Sequence, residues 1–267
     1  MSLLSGRHAF ITGSTQGIGL EIAFALKEAG ASVILHGTRM HEAAMKAADK
    51  CRTATGPANV VGGDLAEPMP EAPLALAEQA LKLNPLIDTL VCNAGTFIDA
   101  PFLEMDFATF DRTLKLNVYS QYVLIQHFAR RWVEQKISGR ILLIGSINGK
   151  LAEQTHVAYD TSKGAIDAMV RSLCVSLAPV GIRVNGVAPG LLWTRLTEPA
   201  LKNDKFRRWM EVHTPNGKVP QADACSGAAV FLLSDAADHI HGQMLYVDGG
   251  MSTWQQPDPP DEWMHGE

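Results

Sequence analysis

The chain has 267 residues, of which 46% are hydrophobic and 19% are charged, and its formal net charge at pH 7 is -5. This apolar content suffices for a packed core and excludes intrinsic disorder, and the slightly acidic balance gives no overall attraction for nucleic acid. The four cysteines form no CxxC pair, which excludes a zinc ribbon, and no apolar run approaches the roughly 18 residues of a membrane span.

Short apolar segments alternate with amphipathic segments along the chain. The apolar segments predict strands at residues 7–12, 31–36, 58–63, 87–92, 140–145, 182–188 and 242–247. The segments between them predict helices at residues 17–29, 40–54, 70–83, 107–136 and 156–178. Continuously apolar strands are typical of a parallel sheet that is covered on both faces. The alternation therefore predicts an α/β fold with a single doubly wound domain and a seven-stranded parallel sheet flanked by helices.

Two segments depart from this alternation. Residues 190–221 contain three prolines and a charged run, which predicts a substrate lid, a solvated surface excursion being the alternative. Residues 252–267 form an acidic, proline-rich tail that we expect to be extended or disordered, although its two tryptophans leave docking on a neighbouring subunit open. The first residues lack a long apolar segment, and reduced thiols are the simpler interpretation of the cysteines, so we expect a cytoplasmic protein.

A glycine-rich turn joins the first predicted strand to the first helix at residues 12–19. Glycines let the backbone approach a pyrophosphate closely, and a helix N-terminus presents unpaired N–H groups to it. The predicted dinucleotide contacts in this turn are Gly13, Thr15, Gln16, Gly17, Ile18 and Gly19. A tight turn without a ligand is the alternative, and the spacing differs from the GxGxxG of long-chain dehydrogenases.

The end of the second strand should determine which dinucleotide binds. An acidic residue there would bind the adenosine ribose and repel a 2′-phosphate, but the chain has His36, Gly37, Thr38 and Arg39. Arg39 can pair with a 2′-phosphate, with Thr38 beside it, so NADP(H) is weakly preferred over NAD(H). The alternative is that Arg39 only begins a solvated helix, and Gln16 supplies no second basic anchor.

Tyr159 has a lysine, Lys163, four residues later, which none of the other three tyrosines has. On a helix these side chains share a face, and an ammonium beside a phenol lowers the pKa of the phenol, which then exchanges protons more easily near neutral pH. An isolated pair of this kind is usually an ordinary surface pair. Here Ser146 and Asn93 follow predicted parallel strands, whose carboxyl ends line one cleft.

Together these motifs resemble the short-chain dehydrogenases/reductases of the classical type, from Thr12 to about Gly250. The matching motifs are the turn at 12–19, Asp64, Asn93-Ala94-Gly95, Asn117, Ser146, Tyr159-x-x-x-Lys163, Pro189-Gly190 and Asp248-Gly249-Gly250. One departure is Cys92, where the family often has another asparagine. The resemblance implies an NAD(P)-binding Rossmann-type catalytic domain at residues 1–251.

The resemblance also implies roles for the matched residues. Tyr159 is the general acid/base, Ser146 orients the reacting oxygen, and Lys163 lowers the pKa of the tyrosine and holds the nicotinamide ribose. Asn117 anchors a water of the proton relay. The further implied cofactor contacts are Tyr159 and Lys163 themselves, Asp64, Leu65, Asn93, Ala94, Gly95, Pro189, Gly190 and Thr194. A homotetramer built on the helices at 107–136 and 156–178 is also implied.

Polar residues between 148 and 156 favour a small polar substrate, namely a sugar, polyol or hydroxy acid, over a steroid. The predicted substrate contacts are Ser146, Asn148, Gln154, His156 and Trp193, a solvated loop being the alternative. A 3-oxoacyl-type carbonyl reductase is an alternative within the same class, and a non-catalytic dinucleotide sensor is less favoured because Tyr159 and Lys163 are both present. No metal site is expected at His239 and His241, which have no third ligand nearby in sequence.

Overall fold

The computed structural model describes residues 2–52 and 56–254. Its strands are β1 (His8–Ile11), β2 (Ser32–Gly37), β3 (Asn59–Gly62), β4 (Thr89–Cys92), β5 (Arg140–Ile144), β6 (Arg183–Pro189) and β7 (Met244–Val247). They pair in the order β3-β2-β1-β4-β5-β6-β7, and every pairing is parallel. The predicted seven-stranded doubly wound sheet is therefore confirmed.

Helices cover both faces of this sheet. They are α1 (Gly17–Glu28), α2 (Glu42–Lys50), α3 (Glu71–Leu83), α4 (Phe107–Leu114), α5 (Ser120–Gln135), α6 (Val157–Leu177), α7 (Glu198–Leu201), α8 (Asp204–Val212) and α9 (Ser226–Leu233). Within the ranges given above, no helix has both the length and the apolar character that a membrane span requires.

The core consists of two clusters, one on each face of the sheet, because successive strand residues point to opposite sides. Phe10 packs on one face in a stack with Phe128 and Trp132 of α5, with ring centroids 6.0 and 5.7 Å apart. The next residue, Ile11, packs on the other face against Ile22 of α1. This burial on both faces explains why most strand residues are apolar.

The structure refines the predicted elements in two places. The helix expected at 107–136 is interrupted by a π-helical turn, Lys115–Tyr119, so that α4 and α5 are separate elements. A π-turn inserts one residue into the helical repeat, and the three-and-four apolar spacing does not reveal it. The segment 190–221 contains α7 and α8. The predicted tail lies outside the described residues from position 255 onward, as do residues 53 and 54 of the helix expected at 40–54.

Candidate active site

The candidate residues meet at one edge of the sheet, because all seven strands are parallel and their carboxyl ends therefore lie together. The groups that follow the strand ends are, in sheet order from β3 to β7, Asp64, Thr38, the turn at 12–19, Asn93, Ser146, Gly190 and Asp248. The chain order reverses between β1 and β4, which opens a crevice above the turn at 12–19. Ligands of open α/β sheets bind at such a reversal.

The turn at 12–19 and the loop after β4 form one hydrogen-bonded unit. The Asn93 side chain donates to the carbonyl oxygens of Thr12 and Gly13 at 3.0 and 2.9 Å. The backbone N–H groups of Asn93 and Ala94 both donate to the Thr12 hydroxyl at 3.0 Å. Gly13 has a φ of 60°, and a Cβ there would lie 2.8 Å from the Ala94 Cα atom. Asn93 and Ala94 thus hold the turn in place.

The N-terminus of α1 is open to a ligand. Gln16, at the N-cap, makes no side-chain hydrogen bond to the helix, and the first turn carries no acidic residue. Gly17 has a φ of 57°, and a Cβ there would meet nothing within 4 Å. Thr15 is buried against Gly37, and Ile18 packs on the core. The free N–H groups and the open space fit a dinucleotide pyrophosphate, which would be bound by backbone rather than by these side chains.

The groups that would face the adenosine half lie at the ends of β2 and β3. Thr38 and Arg39 are exposed, and no carboxylate occurs between His36 and His41. Asp64 accepts hydrogen bonds from Ala66 N at 2.9 Å and from Arg112 Nη2 at 2.7 Å. Burial opposes ionisation of Asp64, but these donors outweigh it and hold its pKa below the ordinary value. The next residue, Leu65, is buried.

Tyr159 lies in the first turn of α6, and its hydroxyl forms a side-chain hydrogen bond with Ser146. Burial raises the pKa of the Tyr159 phenol, and the hydrogen bond with Ser146 offsets this only in part. The Ser146 hydroxyl also accepts from Asn148 N at 3.1 Å, which fixes its position at the end of β5. The structure therefore brings the predicted acid/base and its predicted partner into direct contact.

Lys163 differs from the expectation in its electrostatic effect. Its ammonium lies 5.5 Å from the centroid of the Tyr159 ring and donates to the Ile144 carbonyl oxygen at 2.9 Å. Burial lowers the pKa of Lys163 to about 8. The phenol of Tyr159 is harder to ionise than a free tyrosine, opposite to the direction expected from the spacing, because desolvation of the phenol exceeds any effect of the ammonium.

Asn117 lies in the π-turn and is fully buried. Its Oδ1 accepts from Thr96 N at 2.8 Å, and its Nδ2 donates to Thr96 O at 2.9 Å and to Ser162 Oγ at 3.0 Å. Ser162 Oγ in turn donates to the Tyr159 carbonyl oxygen at 2.7 Å. The Asn117 side chain thus ties the loop after β4 to the first turns of α6. Its role in holding a water stays a prediction.

Phe97 is a site residue that the sequence analysis missed. Its ring meets those of Tyr159 and His156 edge-on, with centroids 5.3 and 4.6 Å apart. The His156 Nδ1 atom lies 3.3 Å from Glu153 Oε1. Phe97 and His156 therefore form a wall beside the phenol. Only its place in the sequence could have indicated this role, because Phe97 comes four residues after Asn93 in the loop that follows β4.

The other three predicted substrate contacts, Asn148, Gln154 and Trp193, lie in three different environments. Asn148 is buried and donates to Asp160 Oδ1 at 2.8 Å and to Glu153 Oε1 at 3.3 Å, so it braces its own loop. Gln154 is exposed. Trp193 lies in a different cleft, of about 500 Å³, with Gly17 of the turn. Its backbone N–H donates to the Pro220 carbonyl oxygen at 2.8 Å, and Glu21 of α1 also lines that cleft.

The segment after β6 begins in the crevice and crosses to the phosphate side. Pro189 ends β6, and Gly190 N donates to Val247 O at 3.0 Å. Thr194 lines the same cleft as Gly17, and Arg195 Nη1 lies 3.4 Å from Gln16 Oε1. Residues 190–195 therefore cover the approach to the N-terminus of α1.

Comparison with known proteins gives matches over nearly the whole chain. A family described as enoyl-(acyl carrier protein) reductase matches residues 12–252. The 5-keto-D-gluconate 5-reductase of Escherichia coli K12 is 33% identical over 253 residues, which are 93% of this chain and 96% of that protein. An L-rhamnose 1-dehydrogenase (NADP(+)) of Thermoplasma acidophilum is 32% identical over 246 residues, which are 92% of this chain and 96% of that protein.

A solved structure agrees with both the fold and these relatives. The gluconate 5-dehydrogenase of Burkholderia cenocepacia J2315, crystallised in complex with NADP and tartrate, superposes with a TM-score of 0.86 at 33% identity. The match covers 94% of this chain and 97% of that one. Because the likeness spans the dinucleotide turn, the crevice and the Ser146–Tyr159 contact, the chain belongs to the short-chain dehydrogenases/reductases and is an NAD(P)-dependent oxidoreductase acting on CH–OH groups.

Proposed function

We propose that this protein interconverts a secondary alcohol and a ketone on a small polyhydroxy compound, a sugar, polyol or sugar-derived hydroxy acid, with NADP(H) preferred over NAD(H). The observation that carries the reaction is the contact between Ser146 and the buried phenol of Tyr159 in the crevice next to the dinucleotide turn. The substrate class is supported by the relatives, which are named for 5-keto-D-gluconate, L-rhamnose and gluconate.

Each of the residues in the crevice has a separate role in the proposed reaction. Tyr159 gives its proton to the carbonyl oxygen in reduction and accepts it back in oxidation, while Ser146 holds that oxygen by a hydrogen bond. A bound nicotinamide supplies or accepts the hydride. The phenol carries at neutral pH the proton that reduction requires, and the burial that raises the pKa of Tyr159 disfavours the deprotonated form that oxidation requires. Lys163 places a buried ammonium beneath the ring.

A direct assay tests this function. The purified protein is incubated with NADPH and 5-keto-D-gluconate, and in the other direction with NADP+ and gluconate or L-rhamnose, and absorbance at the nicotinamide band is followed. A 3-oxoacyl thioester serves as the competing substrate, because a 3-oxoacyl reductase is also among the similar structures. Turnover of the thioester with none of the polyhydroxy compounds would contradict the proposed substrate class, and binding of NADPH without any turnover would favour a sensor.

The preference for NADP(H) depends on Arg39. Changing Arg39→Ala should weaken NADPH binding at least about tenfold, because a charge-assisted contact to the 2′-phosphate is lost. NADH binding should stay unchanged, since NADH lacks that phosphate. The measurement is a fluorescence titration of the protein with each nucleotide.

The matched control for that titration is Arg52→Ala. Arg52 is an exposed arginine just beyond the other end of α2 and pairs with Asp49, so its loss should leave both affinities unchanged. Equal affinity of the wild-type protein for NADH and NADPH, or an unchanged NADPH affinity in the Arg39 variant, would contradict the preference.

We also propose a homotetramer that uses the outer faces of α5 and α6. A cavity of about 470 Å³ lies there, lined mainly by apolar residues that include Ile125, Ala129 and Leu173. Tyr122 and Val133, on the same surface, are 50% and 46% exposed. A partner subunit would remove this apolar surface from water.

Sedimentation equilibrium tests the assembly. The wild-type protein should give a species near four times the 28.9 kDa of the chain at micromolar concentration. Val133→Asp should dissociate it, because a carboxylate would be buried without a partner, whereas Met45→Asp on the exposed face of α2 should not. A wild-type species of single-chain mass would contradict the tetramer.

Two further parts of the proposal concern the lid and the compartment. Residues 190–221 would act as a substrate lid, which is supported by the contact of Arg195 with Gln16 across the crevice.

A reducing compartment such as the cytoplasm is supported by the cysteines, all four of which are free thiols.

A further inference from the structure

His36 is an imidazole beside the dinucleotide turn with a backbone partner at each ring nitrogen. It is 2% exposed, and it belongs to β2. The N–H of Gly13 donates to His36 Nδ1 at 3.0 Å, and His36 Nε2 lies 3.0 Å from the Gly63 carbonyl oxygen. A carbonyl oxygen only accepts, so Nε2 carries the proton, and Nδ1 is bare because it faces a donor. The two contacts thus specify one neutral tautomer.

The imidazole connects two parts of the cofactor crevice. Its Nδ1 contact holds Gly13, while the backbone of His36 exchanges two hydrogen bonds with Ser14 of the same turn, at 3.0 Å to Oγ and 2.8 Å from N. Its Nε2 contact holds Gly63, the residue immediately before Asp64. The relative position of the pyrophosphate turn and the adenine-side carboxylate therefore depends on this side chain.

We propose that His36 is a positioning residue for the dinucleotide: the neutral imidazole fixes the turn at Gly13, and protonation of Nδ1 breaks that contact and weakens cofactor binding at acid pH. The physical reason is that a protonated imidazole carries N–H groups at both nitrogens. Nδ1–H would then face the buried N–H of Gly13, and two donors without an acceptor would be left in contact. The proposal rests on the dinucleotide-dependent function proposed above.

The charges around His36 determine where this transition falls. Among the described residues, the charged group that acts on the ring is Asp64, which follows β3 and is itself paired with Arg112 of α4 at 2.7 Å. The turn at 12–16 contributes no charged side chain. Burial lowers the pKa of His36, and the Gly63 carbonyl and Asp64 offset this only in part, so the loss of affinity should occur below pH 6.5.

Two substitutions separate the acceptor at Nδ1 from the volume of the ring. In His36→Asn the side-chain oxygen takes the place of Nδ1 as an acceptor for Gly13 and does not titrate. In His36→Phe a ring remains but no acceptor does. At pH 8 the Asn variant keeps the acceptor for Gly13 and loses only the donor to the Gly63 carbonyl oxygen. It should therefore bind NADP+ more tightly than the Phe variant, which leaves the buried Gly13 N–H unpaired and should bind about tenfold more weakly than the wild-type protein.

The decisive measurement is isothermal titration with NADP+, which is stable in acid, at intervals from pH 8 down to the lowest pH at which both proteins stay folded. The ratio of wild-type to Asn-variant dissociation constants should rise below pH 6.5, by about tenfold once His36 is fully protonated. Protonation of the nucleotide's 2′-phosphate changes both dissociation constants by the same factor, so its effect cancels in the ratio. A ratio that stays constant would overturn the proposal.

A spectroscopic measurement provides a test that does not depend on whether the Phe variant folds. In protein labelled with ¹⁵N-histidine at pH 8, the signals that disappear in His36→Asn should be those of a protonated Nε2 and a bare Nδ1. An Nδ1–H tautomer would overturn the proposal. Failure of the wild-type protein to bind NADP+ or NAD+ at pH 8 would overturn the dinucleotide function and this inference together, whereas binding with a constant ratio would overturn only this one.

Discussion

Replacing Tyr159 by phenylalanine should lower kcat/KM by roughly 10²–10⁴-fold, the usual contribution of a positioned general acid. The substitution removes only the hydroxyl, so the edge-on contact with Phe97 at 5.3 Å is retained. The dissociation constant for NADPH should stay unchanged, because the dinucleotide turn lies on other elements. Steady-state rates and a fluorescence titration on the same preparation measure both quantities.

The control for this variant is Tyr119→Phe, which removes the hydroxyl of an exposed tyrosine. It should retain wild-type rates. Retention of activity in the Tyr159 variant would reject Tyr159 as the acid/base. A lost rate accompanied by an equally large loss of NADPH affinity would instead indicate a structural role for the hydroxyl.

The fold was predictable because its main signal is the burial of each strand on both faces. Phe10 and Ile11 are adjacent in sequence and pack into opposite clusters, so the strand reads as continuously apolar. The interruption of the helix at 107–136 was not predictable from spacing. It contains Asn117, whose side chain bonds Thr96 and Ser162, and these contacts exist only once the loop after β4 and α6 have come together.

The candidate site was predictable where it depends on strand ends and not where it depends on burial or on loop direction. Ser146 and Tyr159 meet because one follows a parallel strand and the other begins the next helix. The pKa of Tyr159 depends on desolvation, which no spacing reveals. Trp193 lines a cleft with Gly17 of α1, and its backbone is bonded to Pro220, a contact between distant parts of the chain. His36, which the sequence places in the selectivity segment, is turned inwards onto Gly13.

Replacing Lys163 by methionine should lower kcat/KM by roughly 10²–10⁴-fold without lowering the free energy of unfolding at pH 7. A pKa lowered from 10.5 to about 8 corresponds to about 3 kcal/mol against the charged form in the folded protein. Methionine has a similar length and carries no charge, so this penalty disappears. The unpaired Ile144 carbonyl that remains costs about 1–3 kcal/mol, which offsets the gain.

The pH dependence of the free energy of unfolding shows whether methionine is accepted because it removes the penalty of a buried ammonium or only because it fits the available space. Between about pH 8 and 10.5 the unfolded wild-type chain binds more protons at Lys163 than the folded one, so its stability rises with pH in that window. The methionine variant lacks this contribution, and its stability relative to wild type should therefore fall by up to about 3 kcal/mol from pH 7.5 to 10.5. Urea unfolding at both pH values measures the difference.

Lys150→Met provides the matched control, since Lys150 also donates to a carbonyl oxygen, that of Ser252 at 3.0 Å, but is exposed. Its stability relative to wild type should not change with pH in the same window. Parallel curves for wild type and the Lys163 variant would mean that the ammonium is not desolvated. A Lys163 variant with low activity and undiminished stability would show that the chain retains a charge in its interior for its chemistry and not for the stability of its fold.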